Sequence, residues 1–191
     1  MKNPSHLVAS LAIALAPISL CADAPLIYLE EEGLAVIEIE SQPAPEGWEV
    51  RDDFPEARGK AYRWMGEPHL AEPGQGRMAF PVRVCRPGLY RLVIRDAMPE
   101  AFERSGSNSW VRVAWSETVQ FFAVQGDDYF MPTSTVYPAG VGKEPLPAGS
   151  TYDGWFKVYS MRDWNWNAWT GDDDGHKLMV RVKEPATLQI E

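Results

Sequence analysis

A chain of 191 residues, 45% hydrophobic and 24% charged, has room for one sizeable core and excludes the disordered and collagen-like classes. Its 27 acidic and 18 basic residues leave a formal charge of −9, which opposes a generic nucleic-acid or anionic-membrane binder because either needs a basic footprint. Fifteen glycines, sixteen prolines and eight tryptophans favour strands and turns over long helices.

Lys2 precedes an uncharged apolar run of 14 residues, 7–20, followed by the small-residue pattern Cys21-Ala22-Asp23-Ala24. That run is too short to cross about 30 Å of hydrocarbon as a helix, so residues 1–22 are predicted to be a secretory signal peptide and 23–191 the exported domain, secreted or periplasmic. Cleavage is expected near Ala22 or Ala24; the alternative is Cys21 as a lipoprotein cysteine, against which Leu20 is bulky where a small residue is needed. Cys85 then has no partner within the domain, and no later run is long enough for a transmembrane segment.

The first strand is predicted over 34–40, where Ala35, Ile37 and Ile39 alternate with Val36, Glu38 and Glu40. Further strands are predicted over 77–84, 88–95, 109–115, 155–160, 177–182 and 186–190. No convincing helix period lies between them, so βαβ crossovers are excluded and the expected fold is all-β, an antiparallel β-sandwich. Residues 126–154 are dense in Gly, Pro, Ser and Thr and read as one long loop.

Several catalytic signatures are missing. There is no Gly-x-Ser-x-Gly elbow, and His69 and His176 are isolated. Gly74-x-Gly76-x-x-Ala79 leads into a strand with Pro81 rather than a helix, and Gly140-Val141-Gly142-Lys143 is followed by Glu144 where a phosphate loop needs Ser or Thr. Three positive signals remain. Trp155 and the segment Trp164-Asn165-Trp166-Asn167-Ala168-Trp169 combine indoles with amides, as a sugar site requires, although the same tryptophans suit a strand's buried face. Asn108 opens a strand at a loop end. Glu38 and Glu40, on one predicted strand face, would repel unless solvated or shared by a cation such as calcium; Asp172-Asp173-Asp174-Gly175 reads as a solvated turn.

The runs Ala35–Glu40, Tyr62-x-Trp64, Pro87-Gly88-x-Tyr90-Arg91, Asn108-x-Trp110-Val111-Arg112, Asp153–Tyr159 and Trp164-Asn165-Trp166 resemble the galactose-binding-like β-sandwiches of carbohydrate-binding module families 6 and 35. The resemblance covers 34–191 and is most specific from Val136 through Trp166. It implies a jelly roll, polysaccharide or oligosaccharide binding, a structural calcium at Glu38 and Glu40, and association with polysaccharide-degrading enzymes. The ligand-binding positions it implies are Trp64, Asn108, Trp155, Lys157, Trp164 and Asn165. Family members continue past the strand matching Ala186–Ile190, whereas this chain stops at Glu191, so a missing last strand and an exposed sheet edge are expected. The leading expectation is a non-catalytic module. An adhesion or assembly domain with a protein partner is the alternative, and a hydrolase or lyase using Glu38 and Glu40 the third.

Overall fold

The computed structural model describes residues 26–54, 57, 59–66, 72–74, 76–97, 108–133, 151–161, 163–171 and 175–191. The predicted signal peptide, Gly140–Lys143, Val136–Pro138, Asp172–Asp174 and most of the expected loop 126–154 lie outside these residues. The described chain is all-β, with sheets that are mostly antiparallel.

In chain order the strands are β1 (Tyr28–Leu29), β2 (Trp48–Arg51), β3 (Ala61–Trp64), β4 (Phe80–Val84), β5 (Gly88–Arg91), β6 (Ile94–Asp96), β7 (Asn108–Val111) and β8 (Val119–Gln125). They continue as β9 (Asp128–Phe130), β10 (Thr151–Tyr152), β11 (Trp155–Tyr159), β12 (Asn165–Asn167), β13 (Trp169–Thr170), β14 (Lys177–Val182) and β15 (Ala186–Ile190). One sheet runs β1-β4-β15; an eight-stranded sheet follows β10-β11-β13-β14-β8-β9, with β7 on β11 and β5 on β14. Two small sheets pair β6 with β12 and β2 with β3.

The strands predicted over 177–182 and 186–190 are found at those bounds. The one predicted over 34–40 is not a strand. Leu34 closes a bridge with Glu31 around Glu32 and Gly33, both at positive φ, and Ile39–Ser41 forms a 3-10 turn. Ala35 and Ile37 still pack against the core, so the alternation is real; no strand among the described residues forms a ladder with this segment. The strand predicted over 88–95 splits into β5 and β6, which join different sheets. The loop predicted over 126–154 has strands at both ends, β9 and β10. β1 pairs parallel to β4, against the antiparallel expectation.

The end of β15 has neighbours on both sides. Ile190 pairs with Phe80 of β4 and also bridges to Val113. Arg112 and Glu191 exchange both backbone hydrogen bonds, at 2.9 and 2.8 Å, and the Ala114 N–H donates to the Gln189 carbonyl at 2.9 Å. The segment 108–114 therefore belongs to the eight-stranded sheet at its start and to the β1-β4-β15 sheet at its end.

The core is built from alternate residues of both sheets: Val82, Val84 and Leu188 from one, Phe121, Phe156, Val158, Leu178 and Val180 from the other. Phe121 and Phe156 meet edge to face with ring centres 5.2 Å apart and neither is exposed. This fixes which face of the eight-stranded sheet looks away from the core.

Candidate functional site

Residues paired across a ladder share a face, and neighbours along a strand alternate. Because Phe156 and Val158 face inward, Trp155, Lys157 and Tyr159 of β11 face outward. Pairing carries the outward face from strand to strand. Tyr159 lies opposite Trp169, Trp169 opposite Lys177, Lys177 opposite Val124, and Val124 opposite Tyr129. On the other edge of β11, Tyr159 and Lys157 pair with Asn108 and Trp110 of β7. A straight row thus crosses six strands, roughly 24 Å at about 4.8 Å per strand.

Three rings of this row are open to solvent: Tyr159 is 40% exposed, Trp169 36% and Tyr129 44%. Beside them the Lys157 ammonium sits 5.2 Å from the Trp110 ring centre, where the ring's negative face attracts it. Partial burial lowers the Lys157 pKa from its ordinary value by making the ammonium costlier to hydrate. Elsewhere on this face arginines cover the rings. Arg181 lies 5.1 Å from the Phe122 ring centre, and Phe122 is buried.

Trp155 is on this face yet only 4% exposed, because two guanidiniums enclose it. Arg112 lies 4.7 Å and Arg77 5.1 Å from its ring centre, and Arg112 is itself held by both Glu191 carboxylate oxygens at 2.8 and 2.7 Å. Trp155 is therefore a packed residue and not an open stacking surface. Trp164 belongs to a different cluster, half-buried before β12, with Arg95 5.0 Å from its ring centre and Phe54 edge-on at 6.0 Å. Trp155 and Trp164, both among the ligand-binding positions the resemblance implies, thus lie in separate clusters. Next to Trp164, Asn165 is exposed and donates to the Met161 sulfur at 3.0 Å, while Trp166, opposite Arg95, is 61% exposed.

Trp64 is tilted against Trp48, ring centres 5.6 Å apart, and is enclosed by Gly47, Gly66 and Gly76. It is a structural pivot of the β2–β3 ribbon. Asn108 holds a position in the aromatic row by backbone register; its side chain lies outside the described residues. Sequence reasoning thus placed Lys157 and Asn108 at this face but missed Tyr159, Tyr129 and Lys177 there, and cited Trp169 only as part of the Trp segment. The alternation Trp155-Phe156-Lys157-Val158-Tyr159 held the signal.

Glu38 is exposed and Glu40 half-buried in the 3-10 turn, so they do not share a strand face. No group of three or more Asp, Glu, His or Cys side chains converges among the described residues. A buried polar group stands out under the β6–β12 ribbon. Ser160 Oγ donates to Asp96 Oδ2 at 2.6 Å, and burial pushes the Asp96 carboxyl up to about 6. Asp96 Oδ1 and Asn167 Nδ2 are buried without a hydrogen-bond partner among the described residues. A cavity of about 290 Å³ lies beside the 3-10 turn, lined by Leu26, Ser41, Gln42, Pro43, Ala79 and Pro81.

Compared with known proteins, the chain matches no protein-family profile, no curated protein and no solved structure.

Proposed function

We propose that this chain is a secreted, non-catalytic carbohydrate-binding module of galactose-binding-like β-sandwich type, which takes a polysaccharide across the outer face of its eight-stranded sheet. The observation that carries the reading is the cross-strand row in which Tyr159, Trp169 and Tyr129 stand open beside Lys157 and Lys177. Sugar rings present flat C–H faces edged by hydroxyls, so they pair with exposed aromatic rings flanked by hydrogen-bond donors. The core's two contributing sheets support the sandwich assignment. The reading does not depend on calcium.

Affinity electrophoresis against a panel of plant and algal polysaccharides tests it. Retention of the wild-type domain, lost in Tyr159→Ala and Trp169→Ala while circular dichroism stays unchanged, is the expected result. Unaltered retention in both variants removes the row from the binding site. Trp166, exposed beside Arg95, favours a second reading as an adhesion domain, since Trp and Arg anchor protein interfaces. That reading predicts no retention on any glycan and a protein partner lost in Trp166→Ala.

A further inference from the structure

We propose that segment 34–38 is a docking edge for another protein, where an extended peptide, apolar in its middle and bearing Lys or Arg at both ends, adds as a strand. Burial along this segment alternates with a period of two. Ala35 and Ile37 pack against the core, whereas Leu34 is 66% and Val36 52% exposed, so the chain here is extended. Both of its ends are tied down. The buried Glu30 carboxylate accepts the N–H groups of Gly33 at 2.5 Å, Cys85 at 3.1 Å and Arg86 at 3.2 Å, which fixes the turn before Leu34. At the far end the Tyr28 hydroxyl donates to the Glu38 carbonyl at 3.2 Å. Between these anchors the main chain of Ala35, Val36 and Ile37 makes no backbone hydrogen bond among the described residues.

An extended chain with unpaired N–H and C=O groups is a template for strand addition. Leu34 exchanges both backbone hydrogen bonds with Glu31, at 3.0 and 2.9 Å, so its polar groups face the β1 side. By alternation those of Ala35 and Ile37 face the opposite edge, where they offer an incoming strand donors and acceptors in one line. Leu34 and Val36 supply the apolar contact beside them. The partner's charge follows from the flanks. Glu31 and Glu32 stand at one end and Glu38 and Glu40 at the other, and none of them makes an ion pair within 4.0 Å among the described residues. From Leu26 to Val50 the sequence has no Lys or Arg to compensate them. Carboxylates at both ends of an apolar stretch of about 20 Å favour a peptide with cations at matching separation and repel an acidic one. They also disfavour a second copy of this chain, since self-pairing about Val36 would bring the Glu31–Glu32 turn of one copy beside Glu38 and Glu40 of the other. Because the segment is already held extended, docking costs little ordering on this side.

The test titrates the purified protein with a synthetic peptide of alternating valine and threonine that carries paired lysines at each end, and with the same peptide carrying glutamates instead. Fluorescence anisotropy should show the basic peptide binding at least about tenfold more tightly, an advantage that shrinks between about 20 mM and about 300 mM salt. On binding, the amides of Ala35 and Ile37 should gain protection from hydrogen exchange, whereas that of Val36 should not. N-methylation of one alternate set of peptide amides should abolish binding and of the other set spare it, as pairing along a single edge requires. The double variant Glu31→Lys, Glu38→Lys should reverse the preference at an unchanged melting temperature, because both side chains are exposed. Equal affinity for the two peptides, binding without protection at Ala35 and Ile37, or no binding of the basic peptide at about 1 mM would each overturn the proposal. A concentration-dependent dimer in sedimentation that Val36→Asp abolishes would overturn it too, by making a second copy the occupant. Polysaccharide retention is read separately, so the fate of this edge and that of the aromatic row are decided independently.

Discussion

Trp64 illustrates how little freedom single residues have in the β2–β3 ribbon. A Cβ at Gly47, Gly66 or Gly76 would stand closer than 3.0 Å to its ring, and Gly76 also adopts φ +72° and accepts the Trp48 indole N–H on its carbonyl at 2.5 Å. Gly76→Ala should therefore cost about 2 to 4 kcal/mol, from overlap plus a left-handed backbone, and weaken the near-UV dichroism of the Trp48–Trp64 pair. Asp96 poses the opposite problem, a carboxylate that burial disfavours. Its pKa rises from 3.8 unfolded to about 6 folded, so between these values the native state holds more protons. Its contribution to stability is greatest below about pH 4 and is lost as pH rises through about 6. Asp96→Asn should accordingly gain on the wild type at pH 8 relative to pH 4, by up to about 3 kcal/mol, a difference that denaturant titrations at the two pH values would read.

At the scale of the element, β11 divides what a sequence can say from what it cannot. Phe156 and Val158 alternate with Trp155, Lys157 and Tyr159, so the division into two faces is plain in the sequence. That Trp155 is shut off from solvent is not, because the covers, Arg77 and Arg112, come from outside the strand. Trp155→Ala should cost about 3 to 5 kcal/mol in urea unfolding, whereas Trp169→Ala should cost under about 1 kcal/mol and act on ligand binding instead. β8 escaped detection for a related reason. Phe121, Phe122 and Ala123 are all buried, Phe122 under Arg181 on the outer face, so the run lacks the alternation that reveals a half-exposed strand. The row from Tyr159 to Tyr129 was invisible because register between distant strands is set by packing and turns, which one-dimensional periodicity does not encode. Glu38 and Glu40 fail in the other direction: a true alternation, Ala35 and Ile37 inward, without a ladder to make it a strand.

For the whole molecule, the segment 108–114 matters most, since its first half pairs with β11 and its second half with the residues ending β15. Val113, at the crossing, has no exposed surface. A tear that starts in either sheet must pass through this shared hem before it can spread, so neither sheet can melt and leave the other standing. Calorimetry should accordingly give one peak with matching van't Hoff and calorimetric enthalpies. Val113→Ala, at about 2 kcal/mol, should speed amide exchange in β4 and β14 together, where a protein of two independent halves would lose protection in only one. The same coupling reaches the outer face: the Arg112 that covers Trp155 is on this hem, and Glu191, which holds it, follows directly on β15. The open ring of Tyr159 is thus carried on a strand that is braced from the opposite sheet, so under the proposed function a polymer lying across the row would meet rings already held in place and lose little to ordering them.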